Sequence, residues 1–151
     1  MNVATLFVGS LQTKANRLLY EHASEVLTQY ELTPTNWSML CIVAGSRDGI
    51  RHAEVAQKLH VKAPLITVMA RDLERLGLIH GVRNQFDSRA KLLASTASGK
   101  QLVKVVQAAL EKRLDGLLAG LSVADLNSYR HVLLTIEIND ALHRGDARAD
   151  P

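Results

Sequence analysis

From Val3 to about Tyr30 the apolar residues Leu6, Phe7, Leu11, Ala15, Leu18, Leu19, Val26, Leu27 and Tyr30 recur at helical spacing, with His22 on the same face. That pattern predicts one long amphipathic helix, expected to pack against helices from far along the sequence or from a second subunit. Leu32-Thr33-Pro34 marks a boundary: Thr33 suits a helix N-cap, and Pro34 suits the first helical position, where a missing N–H costs nothing. The helix that follows is expected to turn Trp37, Leu40, Cys41 and Val43/Ala44 inward and to stop near Gly45, before the turn Arg47-Asp48-Gly49.

The densest signal lies between Ile50 and Gly99. Ala53–Leu59 reads as a short helix, His60-Val61 as a tight turn, and Lys62–Leu76 as a second helix. Pro64 is tolerable only in a first turn, which fixes that start near Lys62 or Ala63. Gly77 suits the residue just past the helix end. Leu78–Arg83 and Ala90–Ser95 read as strands around the loop Asn84–Arg89, and Ile50-Arg51 as a third, edge strand. A helix-turn-helix followed by a hairpin is a winged helix, which places one helix in a DNA major groove. Beyond it, Ser95-Thr96 caps a long helix carrying Leu102, Val106, Leu110, Leu114, Leu117 and Leu121. Ser122 with Asp125 resembles a capping box ahead of a last helix carrying Leu126, Tyr129, Leu133, Ile136 and Leu142. The tail from His143 is expected to fray.

Charge sharpens this picture. The net charge is only +3, but residues 51–100 hold nine Lys/Arg against four acids, +5, while the remainder holds nine against eleven, −2. The positive charge sits on the candidate helix-turn-helix and wing, as phosphate binding requires. With 151 residues and 47% hydrophobic composition there is ample material for a core. The apolar runs fall short of a membrane span and the N-terminus lacks a basic start, so a cytoplasmic protein with no membrane partner is expected. One cysteine, Cys41, excludes an internal disulfide framework. It has no Lys or Arg within four residues and is expected to be an inert core thiol. The six histidines contain no HxxxH pair, so neither a metal site nor a cofactor is expected. Phosphate-loop and nucleophile motifs are absent, and the chain reads as a non-enzyme.

The segment Asp87-Ser-Arg89 followed by Thr96 and Gly99, with Glu54-Val55-Ala56 and Leu73-Glu74-Arg75-Leu76-Gly77-Leu78-Ile79, resembles the MarR family of transcription regulators over nearly the whole chain. The resemblance implies a mainly α protein: a winged helix-turn-helix with a small β-wing, plus long N- and C-terminal helices forming an intertwined dimerisation domain. On that reading 33–96 is the DNA-binding domain, 1–32 and 97–145 the dimerisation helices, and 146–151 a flexible tail. The expected function is a homodimeric, sequence-specific repressor on a palindromic double-stranded DNA operator. A helical protein-interaction scaffold without DNA binding is the alternative.

The expected DNA-binding residues follow from position and chemistry. Arg89 at the wing tip would enter the minor groove, where A·T-rich DNA has enhanced negative potential, with Asp87 orienting the wing. Thr67 offers a hydrogen bond; Pro64, Leu65 and Val68 offer apolar contact to thymine methyls; Arg71 can reach guanine or phosphate. Arg51, Lys62, Arg83 and Lys91 are expected on phosphates. By resemblance, a small lipophilic or aromatic effector is expected between dimerisation helices and winged helix, with Arg17, Tyr20, His22 and Trp37 as candidate lining.

Overall fold

The computed structural model describes residues 9–83 and 91–146. In these the order is α1 (Ser10–Leu27), a 3-10 turn (Thr28–Tyr30), α2 (Pro34–Gly45), β1 (Ile50–Arg51), α3 (His52–Leu59), α4 (Ala63–Arg75), β2 (Ile79–Arg83), β3 (Lys91–Ser95), α5 (Ala97–Leu118) and α6 (Val123–Asp146). Six helices and a three-stranded antiparallel sheet make a winged helix. The chain divides into two compact units, Met1–Gly116 and Leu117–Pro151.

In the first unit α2 is the hub, packing against α1, α3, α4 and β3. Leu27, Met39, Leu40, Val43, Val55, Ile66, Leu73, Ile79, Leu93 and Val106 form one buried cluster. The sheet order is β1-β3-β2, with Ile50 opposite Leu93 and Gly81 opposite the same residue on the other side. Ile50-Arg51 therefore is the third strand, and it lies beside β3.

The helix boundaries follow the chemistry. The Thr33 hydroxyl accepts from the Asn36 N–H at 3.1 Å, with Pro34 in the first turn of α2. Lys62 is the N-cap of α4, again with proline in the first turn. α4 ends in a Schellman motif: the Leu78 N–H donates to the Leu73 carbonyl at 2.9 Å and the Gly77 N–H to that of Glu74 at 2.9 Å. Gly77 takes a positive φ of 69° there, and Leu73 and Leu78 are both buried.

Two expectations are corrected. The first helix ends at Leu27 and passes through the 3-10 turn to Glu31, which is left-handed at φ 56°. In α2 the buried residues are Asn36, Met39, Leu40 and Val43, whereas Trp37, Cys41 and Ala44 are half-buried. Apolar side chains occupy nearly every face of that helix, so spacing alone does not choose its inner side. The last helix runs to Asp146, and the remainder of the tail expected to fray lies outside the described residues.

In the second unit, Ser122 and Asp125 form the expected box at the start of α6. The Asp125 N–H donates to the Ser122 hydroxyl at 3.1 Å, and the Ser122 N–H donates to the Asp125 carboxylate at 2.8 Å. Hydrogen bonds from Ser122 hold the Asp125 carboxyl below its usual pKa. Leu126, Tyr129, Leu133, Leu134, Ile136, Ile138 and Leu142 of α6 are all exposed. Among the described residues no helix is long and apolar enough to cross a membrane.

Candidate nucleic-acid interface

α4 presents two chemically distinct faces. Ile66, Met69, Ala70 and Leu73 point into the core. Lys62, Pro64, Leu65, Thr67, Val68, Arg71 and Arg75 are exposed on the outer side. Every expected base- or phosphate-contacting residue of this helix thus faces solvent. Arg75, one turn beyond Arg71, extends the same basic edge. It was not among the expected contacts, although the 64, 67/68, 71, 75 spacing carries it.

α3 supports α4 from behind. Val55 and Ala56 are buried, Leu59 is half-buried, and His60 ends the helix in a left-handed conformation at φ 54°. That reversal allows the Val61 N–H to donate to the Ala56 carbonyl at 3.0 Å and aims Lys62 into the start of α4. Arg51, at the N-cap of α3, is exposed; its N–H reaches the Glu54 carboxylate at 3.4 Å. Arg83 is exposed at the end of β2, and Lys91 begins β3 opposite it. Asp87 and Arg89 lie outside the described residues.

The cap expected at Ser95-Thr96 also ties this interface to α5, by contacts to the end of α4 that the sequence did not show. The Thr96 hydroxyl donates to the Gly77 carbonyl at 2.7 Å and accepts from the Gly99 N–H at 2.9 Å. The Thr96 N–H donates to the Leu78 carbonyl at 3.0 Å. One threonine therefore caps α5 and holds the end of α4. Gly99 is required by the close approach: a Cβ there would lie 2.1 Å from the Leu78 carbonyl oxygen. Farther along, the Arg113 guanidinium of α5 pairs with Glu25 of α1 and depresses the Glu25 pKa.

The four expected effector residues do not form one cluster. Arg17 pairs with Glu21 at 3.6 Å on the exposed side of α1, where Tyr20 is also exposed. His22, two residues on and about 200° around the helix, is half-buried, with Nδ1 buried and without a hydrogen-bond partner among the described residues. Trp37 packs against the core from α2. Cys41 is half-buried, and burial raises its thiol pKa to about 11. Among the described residues no group of His, Cys, Asp or Glu could hold a metal ion.

No known protein-family profile matches the chain. Solved structures do. CouR from Rhodococcus jostii RHA1, bound to p-coumaroyl-CoA, superposes with a TM-score of 0.79 at 22% identity, over 85% of this chain and 90% of that one. A MarR-family transcriptional regulator from Rhodococcus sp. RHA1 gives 0.78 at 20% identity, over 90% and 96%. MepR of S. aureus in complex with DNA gives 0.71 at 21% identity, over 92% and 98%. The chain has the winged-helix fold of the MarR-type transcriptional regulators.

Proposed function

We propose that this protein is a DNA-binding transcription regulator of the MarR family that acts as a homodimeric repressor on a palindromic operator. The observation that carries the reading is α4: a helix anchored by its inner face, with Lys62, Thr67, Arg71 and Arg75 all exposed on the other. The fold shared with MepR, solved on DNA, supports it. Each α4 enters a major groove. Arg51, Lys62, Arg83 and Lys91 bind phosphates, and the wing bearing Asp87 and Arg89 reaches the adjacent minor groove.

Residues 33–96 form the DNA-binding domain on this reading, and 1–32 with 97–145 form the dimerisation domain. The exposed apolar side chains of α1 and α6, from Leu11 at 65% to Leu142 at 64%, support a subunit interface, because monomeric surfaces rarely carry such extended apolar area. A small lipophilic or aromatic effector lowers DNA affinity by favouring a dimer with the wrong spacing between its two α4 helices. CouR, solved with p-coumaroyl-CoA, supports that part; Arg17, Tyr20, His22 and Trp37 are the residues to test.

Selection of bound sites from random duplex DNA tests the function. Enrichment of a palindrome with half-sites about one helical turn apart is expected. Recovery of unenriched sequence would overturn it.

A further inference from the structure

We infer that α4 reads its half-site mainly through thymine C5-methyl groups, on at least two neighbouring base pairs, rather than through hydrogen bonds to base edges. The inference rests on the DNA-binding reading above and specifies what that site recognises.

Leu65 and Val68 are 44% and 54% exposed on the outer face of α4, beside exposed Pro64. These large apolar side chains stay about half exposed, while Ile66, Met69 and Leu73 on the same helix are buried in the core. The apolar strip is bordered by Lys62 at one end and by Arg71 and Arg75 at the other. A cationic border favours an anionic partner over an apolar protein surface. In the major groove of a polyanionic duplex, the apolar group on offer is the thymine methyl. The geometry also suits it: three residues of helix advance about 4.5 Å, close to the roughly 3.4 Å between stacked base pairs.

The polar inventory is correspondingly thin. α4 contains neither Asn nor Gln, the residues that read adenine bidentately. Thr67 brings one hydroxyl, and Arg71 is the guanidinium nearest the strip in sequence.

The test compares a selected duplex with the same duplex carrying deoxyuridine for thymidine in one half-site. Base pairing is unchanged and only methyls are removed. Each buried methyl is worth roughly fourfold in affinity, so two give a loss of about 15-fold by fluorescence anisotropy. Leu65→Ser and Val68→Ser change exposed positions, and each should shrink the thymine-to-uracil ratio toward one. A ratio below threefold in the unaltered protein would overturn the inference and leave DNA binding standing. A large ratio that persists in both variants would also overturn it, in favour of DNA shape. Failure to bind any selected duplex would instead remove the DNA-binding reading beneath it.

Discussion

Replacing Gly99 by alanine should be among the most damaging single-methyl changes in this chain. The new Cβ would lie 2.1 Å from the Leu78 carbonyl oxygen and 2.7 Å from the Ser95 hydroxyl, when 3.4 Å is ordinary contact. The carbonyl cannot rotate away cheaply, because it accepts the Thr96 N–H at 3.0 Å and Leu78 itself closes the Schellman motif of α4. α5 must therefore move outward by more than 1 Å, loosening the bonds from Thr96 to Gly77 and Leu78. Overpacking of this kind costs roughly 1–3 kcal/mol, and two weakened hydrogen bonds add about 1 kcal/mol each. A total near 3–5 kcal/mol, with a urea slope of about 2 kcal/mol per molar, lowers the unfolding midpoint by roughly 1.5–2.5 M. Gly45→Ala is the control. It sits at the end of α2 with nothing within 4 Å of the added Cβ. There alanine's better helix propensity should raise stability by about 0.5 kcal/mol. Both variants are unfolded in urea at one protomer concentration and followed by circular dichroism. Equal midpoints, or a Gly99→Ala protein as stable as the parent, would refute the close approach of α5 to the end of α4.

Other outcomes follow from the same structure. Leu133→Asp places a charge on the exposed apolar face of α6 and should convert a dimer to monomer by light scattering; an unchanged mass would put the interface elsewhere. Arg71→Ala should weaken binding to a selected operator by about tenfold, with the mass unchanged, and equal affinity would remove Arg71 from the interface. Alkylation of Cys41 should be slow at pH 8 and rise about tenfold per pH unit until near its pKa of about 11; rapid reaction at neutral pH would contradict a buried thiol. Between its usual value of 9.0 and about 11 the folded protein keeps a thiol proton that the unfolded chain releases. This group's contribution to stability therefore falls as pH rises through that window.

Features set by local chemistry were legible in the sequence. Thr33-Pro34, Lys62 with Pro64, Gly77 and Ser122 with Asp125 each carry a cap or breaker whose effect is confined to one turn, and each stands where it was expected. The outer face of α4 was legible for a related reason: its buried and exposed positions separate cleanly at helical period. α2 was harder, because Trp37, Met39, Leu40, Cys41, Ile42 and Val43 leave no polar face to orient it. Gly99 stands in the wing motif, but neither it nor the Glu25–Arg113 pair shows locally what it approaches. Their meaning depends on partners 21 and 88 positions away, brought close only by the fold.

DNA binding by the exposed, cationic side of α4 is measured most directly as affinity for the selected palindrome and for a scrambled duplex between 50 and 200 mM salt. With Arg51, Lys62, Arg83 and Lys91 on phosphates in both protomers of the proposed dimer, the log–log slope should be roughly −7. The palindrome should bind at least 10³-fold more tightly than the scrambled duplex at physiological salt. A slope near zero, or equal affinity for both duplexes, would contradict the account.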